Sequence, residues 1–502
     1  MSDSFGEYTS IVVFGASGDL AKKKTFPALF GLYREGHLPK TVKIIGYARS
    51  KLTEEDFKDR ISAKFNVGGE ENKPKVAEFL KLCSYVQGQY DTPEGYKELD
   101  KEMDAYEKHN ESKAKKERLF YLALPPSVFG VVGKMIKEHA YPTDGRLRLI
   151  VEKPFGHDLE SSNQLQKELA PLFTEEELYR IDHYLGKEMV KNLLVLRFGN
   201  ELLNAAWNNK HIKSIQINFK EAFGTEGRGG YFDEIGIIRD VMQNHILQVL
   251  TLLTMERPSS FDPEAIRDEK VKVLKAIEEF DTSDILLGQY GKSEDGTKPG
   301  YLDDETVKKG SKCVTYAALG LKINNERWEG VPIVIRGGKA LDESKVEIRV
   351  QYKPVAKGVF KEIQRNELVI RVQPKEAVYL KINSKVPGIS TETSLTDLDL
   401  TYATRYSRDF WIPEAYEALI RDCYFGNHSN FVRDDELQIS WALFTPLLKY
   451  LESEDAPTPE IYPYGSKGPK NLRAYMNAHG YVFSDPGTYE WPLTTPNVKG
   501  KI

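Results

Sequence analysis

The sequence predicts two domains of different class, an α/β domain with a parallel sheet followed by an α+β domain with a large, mainly antiparallel sheet. Two observations carry this. Over about the first 180 residues, unbroken apolar runs alternate with charged segments of helical spacing, the pattern of parallel strands covered by helices on both faces. Beyond about residue 210 the period falls to two, apolar against polar, as in a sheet with one solvated face. A chain of 502 residues holds two or three cores. We place the first domain over 1–182 and the second over 183–502.

The elements follow in order. "IVVFG" (11–15), "VKIIGYA" (42–48), "LFYLALP" (119–125) and "LRLIVEKP" (147–154) are buried strands, with helices between them at 53–65 and 93–108. Longer helices are predicted over 186–198 and 234–255. "IQINF" (215–219), "KVEIRVQY" (345–352), "LVIRVQ" (368–373) and "AVYLKI" (377–382) alternate. Residues 288–311, rich in Gly, Lys and Asp, read as a surface loop, and the Pro-, Gly- and Tyr-rich tail after 455 as irregular chain held by its aromatics.

Composition excludes several classes. A formal net charge of -5 gives no footprint for nucleic acid or an acidic membrane. Cys83, Cys313 and Cys423 are far apart, without zinc spacing or a disulfide framework. No run of about 18 apolar residues marks a membrane span, and the N-terminus has no targeting pattern. The expectation is a cytoplasmic protein without a metal.

"IVVFGASGDLAKKK" follows a strand and opens a helix, with Gly15, Gly18 and Ala21 in the positions of a loosened G-x-G-x-x-G. Glycines there let the backbone turn sharply and approach a pyrophosphate at the helix N-terminus. Alone, the pattern fits a plain strand-to-helix turn equally well; its place at the first strand of an alternating region favours a dinucleotide. At the end of the second strand, where an NAD site has an acid for the ribose 2′-hydroxyl, stand Arg49 and Ser50. An arginine suits a 2′-phosphate, with Ser17 and Lys22 to Lys24 nearby; a solvated surface arginine is the plainer reading. "YGKS" (290–293) lacks the first P-loop glycine, and the Tyr47–Lys51 pair stands at the 2′ end, away from any chemistry.

"RIDHYLGK" (180–187) packs five polar side chains into eight positions. A helix beginning near Gly186 puts Lys187 in its first turn, where a cation opposes the helix dipole at a cost of ~0.3–1 kcal/mol. An anion bound by Lys187, His183 and Tyr184 removes the conflict; solvent and Glu188 would do so too. In "IRDVMQNHILQVL", His245 borders the apolar face and has no second histidine at metal spacing. It fits a core histidine, and it also fits a base with a pKa near 7 whose tautomer Asp182 would hold.

Together, "GASGDLAKKK", "EKPFG", "RIDHYLGKEMV", "FGTEGRGGYFDEIGIIRDVMQNH" and "RGGKAL" resemble the glucose-6-phosphate dehydrogenase family, in its eukaryotic, cytosolic, fungal branch, from about residue 10 to "GTYEW" (487–491). The resemblance implies a Rossmann-type first domain that binds NADP⁺ through Gly15, Ala16, Ser17, Gly18, Asp19, Leu20, Lys24, Arg49, Tyr121 and Lys153. It implies His245 as the base at C1 of glucose 6-phosphate and Asp182 as the group that orients it. His183, Tyr184 and Lys187 take the phosphate, and Lys153, Glu221, Asp240, Lys339 and Gln373 the sugar hydroxyls. Pro154 is expected to be cis. The product is 6-phosphogluconolactone, in the first step of the oxidative pentose phosphate pathway. Self-association as a dimer or tetramer through the antiparallel sheet is implied too. So is a second, structural NADP⁺ at Arg336, Lys345, Arg349, Arg371, Tyr379, Lys381, Asp399 and Trp491. There the chain departs from the fuller family pattern, with Lys467 for an arginine and with Ser344 and Ser484 where some relatives have Arg and Tyr. Two other classes compete: a regulator that only senses NADP, which would not need a base, and a sugar-phosphate reductase of another specificity.

Overall fold

The structure is a computed structural model that describes residues 8–108, 116–355, 363–389, 391–406 and 411–483. It divides into two compact units: described residues of 1–191, 247–275 and 412–446 form the first, and those of 192–246, 276–411 and 447–502 the second. Trp491 and Ser484 lie outside the described residues.

The first unit holds a six-stranded parallel sheet. Its strands are β1 (Thr9–Phe14), β2 (Lys43–Ala48), β3 (Cys83–Gln87), β4 (Lys116–Leu122), β5 (Gly145–Val151) and β6 (Leu178–Arg180), in the order β3-β2-β1-β4-β5-β6. This is the doubly wound order whose switch point lies between β1 and β4. β1 is buried along its whole length, as its unbroken apolar run requires. A π-helical turn, Ala21–Thr25, leads from the β1 turn into the helix Phe26–Arg34. The helix Ala415–Tyr424 lies so close to it that a Cβ on Gly31 would sit 1.9 Å from the Glu417 carboxylate.

Late sequence also braces β6. Val432 donates its N–H to the Arg180 carbonyl at 3.0 Å and bridges the strand in antiparallel fashion, while His428 stacks on Tyr179 with centroids 3.9 Å apart. Burial, with Arg267 and Arg148 nearby, pushes His428 down to about 4, so it is neutral there. Behind this brace, Lys270 and Glu436 form a fully buried ion pair at 2.8 Å, and Gln248 donates to the same carboxylate at 3.3 Å.

The second unit holds a nine-stranded sheet of β7 (Ile212–Lys220), β8 (Ile285–Gly291), β9 (Tyr316–Leu321), β10 (Ile333–Gly338), β11 (Lys345–Tyr352), β12 (Glu367–Gln373), β13 (Ala377–Lys385), β14 (Thr393–Thr401) and β15 (Glu460–Pro463). The order is β14-β13-β12-β11-β7-β10-β9-β8-β15. Its pairs are antiparallel except β7 with β10 and β8 with β15.

Four expectations need correction. The helix after "RIDHYLGK" begins at Glu188, not Gly186, because residues 182–187 form successive tight turns. The region 234–255 is not one α-helix. Gly236 breaks it at φ 65° and ψ 169°, Ile238–Ile246 winds as a π-helix, and α-helix resumes over Leu247–Thr254. The tail after 455 is more regular than its composition suggests, with β15 pairing to β8 and a helix at Leu472–Ala478; β8 likewise takes the first residues of the expected 288–311 loop.

Replacing Lys270 by Met should cost about 3–5 kcal/mol, since it strands a buried carboxylate. Adding Glu436→Leu should restore most of the loss. Thermal unfolding of the single and double variants checks this, and equal losses in both would show that the pair is not what holds this region.

Candidate active site

In the first unit the glycine turn is built as a phosphate cradle must be. Gly15 has φ 76°, and a Cβ on it would lie 2.2 Å from the Ala123 carbonyl oxygen. The main chain just after β4 thus runs directly against the turn, and only glycine fits. Gly15 and Ala16 donate to the Tyr47 carbonyl at 2.9 and 3.2 Å, and Gly18 to the Gly15 carbonyl at 2.8 Å. Asp19 and Lys24 are exposed, Ser17, Gly18 and Leu20 half-buried, and Asp19 pairs with Lys23 at 2.6 Å. At the end of β2, Arg49 is exposed. Its neighbour Ser50 donates to the Ser17 hydroxyl at 2.9 Å, and Arg60 donates to the Ser17 carbonyl at 3.0 Å. The cradle and the arginine are therefore tied together.

The end of β5 carries Glu152, Lys153 and Pro154, and the Lys153–Pro154 peptide is cis, as expected. Tyr121, from the neighbouring β4, donates its hydroxyl to Glu152. Burial pushes the Glu152 carboxyl up to about 7, against the pull of Tyr121 and Lys153. Sequence reading passed over Glu152, because a carboxylate beside a lysine looks like an ordinary solvated pair.

β6 leads into Asp182. The Tyr184 N–H donates to the Asp182 carboxylate at 3.0 Å, and the N–H groups of Leu185, Gly186 and Lys187 each reach back three residues. These turns gather His183, Tyr184 and Lys187. The His183 ring lies 4.9 Å from Tyr184 and parallel to Tyr416 at 6.0 Å, and the Lys187 ammonium is 5.1 Å from the Tyr184 ring. Gly186 is needed because a Cβ there would come within 2.4 Å of the Ala415 carbonyl. Arg180, crowded beside them in sequence, is structural: it pairs with Glu175 at 2.8 Å and donates to Gln166 at 3.0 Å.

In the second unit, β7 and β10 run parallel with Lys220 opposite Gly338, so the residues that follow, Glu221 and Lys339, emerge side by side. The Lys339 ammonium lies 2.5 Å from Glu221 and 3.1 Å from Asp240. Burial opposes that charge, but the two carboxylates outweigh it and raise the pKa. Asp240 comes from the π-helical segment, which comes close to β10 at Gly337, where a Cβ would meet Val241 at 3.0 Å. Buried His245 is on the same segment, its ring parallel to Phe219 of β7 at 6.5 Å. In an α-helix, residues five apart point about 140° away from each other; the wider winding of a helix bonded five residues ahead brings them to roughly 50°, on the same side. Asp240 and His245 are such a pair. Gln373 ends β12 before a second cis proline, at the end of the sheet where Val346 of β11 separates it from Phe219.

The same unit contains a cavity of about 780 Å³ lined by eight Lys or Arg side chains against three Asp or Glu. Arg336, Lys345, Arg349 and Lys381 line it; Arg371, Tyr379 and Asp399 do not. Tyr379 faces Asp399 across the β13–β14 pair, and Arg371 faces Glu347 across β11–β12. Lys220, Lys467, Lys470 and Arg473 complete the basic lining, and the sequence reading gave no role to Lys220, Lys470 or Arg473.

A doubly wound sheet with a glycine cradle at its switch point, together with a caged ammonium and a buried histidine, defines a nucleotide-dependent oxidoreductase. Family models of the glucose-6-phosphate dehydrogenase NAD-binding domain and C-terminal domain match residues 12–192 and 194–491. The chain is 72% identical over 497 residues to the glucose-6-phosphate 1-dehydrogenase of Cyberlindnera jadinii, covering 99% of this chain and 100% of that one. It is 67% identical over 494 residues to that of Saccharomyces cerevisiae, covering 98% and 97%. A solved glucose-6-phosphate dehydrogenase in complex with its substrate glucose-6-phosphate superposes with a TM-score of 0.94 at 63% identity, covering 97% of this chain and 100% of that one. The chain belongs to the glucose-6-phosphate dehydrogenase family, and its cofactor is NADP.

Gly15→Ala should weaken NADPH binding by at least tenfold, because the added methyl meets main chain rather than a side chain that can move. Titration of NADPH fluorescence checks this; unchanged affinity would mean the turn is not the cradle.

Proposed function

We propose that His245 is the base of the family's reaction and that the two groups of residues described above serve one sugar phosphate. The enzyme oxidises glucose 6-phosphate at C1. The C1 hydroxyl loses its proton, C1 loses a hydride, and the new carbonyl is that of 6-phospho-D-glucono-1,5-lactone. This is the first step of the oxidative pentose phosphate pathway and yields NADPH. NADP⁺ bound at the glycine turn is the hydride acceptor.

His245 takes the hydroxyl proton, and Asp182 holds its tautomer and stabilises the imidazolium. His183, Tyr184 and Lys187 bind the 6-phosphate, with the first-turn N–H groups of the following helix. Lys339, Glu221 and Asp240 supply alternating donors and acceptors for the sugar hydroxyls, with Lys153 and Gln373. Arg49 reads the 2′-phosphate of the cofactor, and Gly15, Ala16, Ser17, Gly18, Asp19, Leu20, Lys24, Tyr121 and Lys153 complete its site. The observation that carries this reading is the caged Lys339, with His245 on the π-segment that contributes Asp240 to the cage. The reading includes self-association as a dimer or tetramer and work in the cytoplasm; its three cysteines are unpaired thiols. Among the described residues, no helix is long and apolar enough to cross a membrane.

The basic cavity supports a second reading, a structural NADP⁺ held by Arg336, Lys345, Arg349 and Lys381, to which the family resemblance adds Arg371, Tyr379, Asp399 and Trp491. Burial and the neighbouring Arg349 lower the pKa of Lys381, so an anionic ligand would relieve that ammonium.

His245→Asn should lower kcat by ~10²–10⁴-fold with little change in the KM for glucose 6-phosphate, whereas Lys187→Ala should chiefly raise that KM. Near-normal turnover in the His245 variant would remove it as the base. For the second site, NADP⁺ should still raise the melting temperature of an Arg49→Ala variant, by an amount equivalent to ~2.7 kcal/mol at 100 times its Kd, and adding Lys381→Ala should abolish the rise. An Arg49 variant that gains nothing from NADP⁺ would argue against the site.

A further inference from the structure

Tyr90 was not among the sequence-derived site residues, yet its ring lies under the residue that reads the cofactor. The Arg49 guanidinium sits over it, 5.2 Å from the centroid. The ring cannot easily move. Tyr47 donates its hydroxyl to the Gln89 carbonyl at 2.8 Å, and Tyr96 donates to the carbonyl of Tyr90 itself at 3.0 Å. Gly88 and Gly95 exist to admit the Tyr47 hydroxyl, since a Cβ on them would lie 2.0 and 2.3 Å from it. The Tyr90 ring also contacts Tyr47 at 6.2 Å. On the other side, Gln87 donates to the Arg49 carbonyl at 3.3 Å, and Tyr85 donates to the carbonyls of Ala48 and Ser50 at 3.2 and 2.5 Å. Both partners of the cation–π pair therefore stand on clamped backbone.

The topology says which part of the cofactor this pair meets. Strand order runs β3-β2-β1-β4. With the pyrophosphate at the β1 turn, the adenosine half extends over the carboxyl ends of β2 and β3. Arg49 follows β2 and Tyr90 follows β3. A free arginine side chain on an exposed surface samples many rotamers, and ordering it opposes binding. An aromatic ring under one face of the guanidinium removes much of that freedom and leaves the N–H edge to the phosphate.

We propose that Tyr90 is a positioning residue for cofactor choice: its ring holds the Arg49 guanidinium in the orientation that receives the 2′-phosphate, and so favours NADP⁺ over NAD⁺. The proposal rests on Arg49 being the 2′-phosphate reader. The ring matters and the hydroxyl does not, so Tyr90→Phe should keep the preference within about twofold. Tyr90→Leu should lower the ratio of kcat/KM for NADP⁺ to that for NAD⁺ by about three- to tenfold, with kcat at saturating NADP⁺ unchanged. In an Arg49→Ala background, Tyr90→Leu should lower the ratio no further, because nothing is left to position. Steady-state kinetics with both cofactors on the five proteins, including wild type, decides it. A Tyr90→Leu enzyme that keeps its preference, or loses both cofactors equally, overturns the proposal while leaving Arg49 in its role if Arg49→Ala still loses the preference. If Arg49→Ala keeps the preference as well, the 2′-phosphate reading fails and this one with it.

Discussion

Parallel strands end together, and nearly every group of interest hangs from such an end. A strand that leaves a sheet at its carboxyl end stops pairing, and its last residues must be satisfied by turns, side chains or ligands. In the first unit, Gly15, Arg49, Lys153 and Asp182 follow β1, β2, β5 and β6. In the second, β7 and β10 are neighbours that run parallel in a mostly antiparallel sheet, and they deliver Glu221 and Lys339 to the same edge. Were that pair antiparallel, the two side chains would lie at opposite ends of the sheet.

Charge is used differently at the three centres. Lys339 is buried but caged by two carboxylates that keep it protonated. Glu152 is buried beside a phenol and one lysine, too little to hold its charge fully, so its carboxyl is pushed up to about 7. The cations of the large cavity exceed the acids around them, which suits a ligand with several negative charges better than a sugar. Preorganised hydrogen-bonding groups of this kind stabilise charge without reorganising when it appears.

Much of this was legible in the sequence, and the parts that were not have physical reasons. Continuous apolar runs and period-two runs located the long strands because burial dictates those patterns. "RIDHYLGK" and the glycine turn stood out because dense polar groups and glycines are costly without a purpose. The π-winding that brings Asp240 and His245 to the same side of the segment was invisible, since apolar periodicity assumes 3.6 residues per turn. The start of the helix at Glu188 was missed because turn hydrogen bonds over 182–187 leave no hydrophobic signature. Tyr90 reads as one more aromatic at a strand end; its place under Arg49 depends on how far apart β2 and β3 leave their loops, which is a property of the sheet.

The parallel sheet of the first unit is finished by residues far along the chain. Its own 1–191 stretch is joined by 247–275 and 412–446, which supply the partner of Glu436, the cover over Gly31 and the strand-like brace on β6. On a ribosome adding about 5–20 residues per second, the interval between residues 191 and 446 lasts on the order of 10–50 s. Throughout it, the nascent sheet has its strands but lacks the helix that covers Phe26–Arg34 and the bridge at Arg180. The first unit is thus completed late in synthesis, and a chain ended before residue 412 would lack the helix over Gly31, the bridge to Arg180 and Glu436.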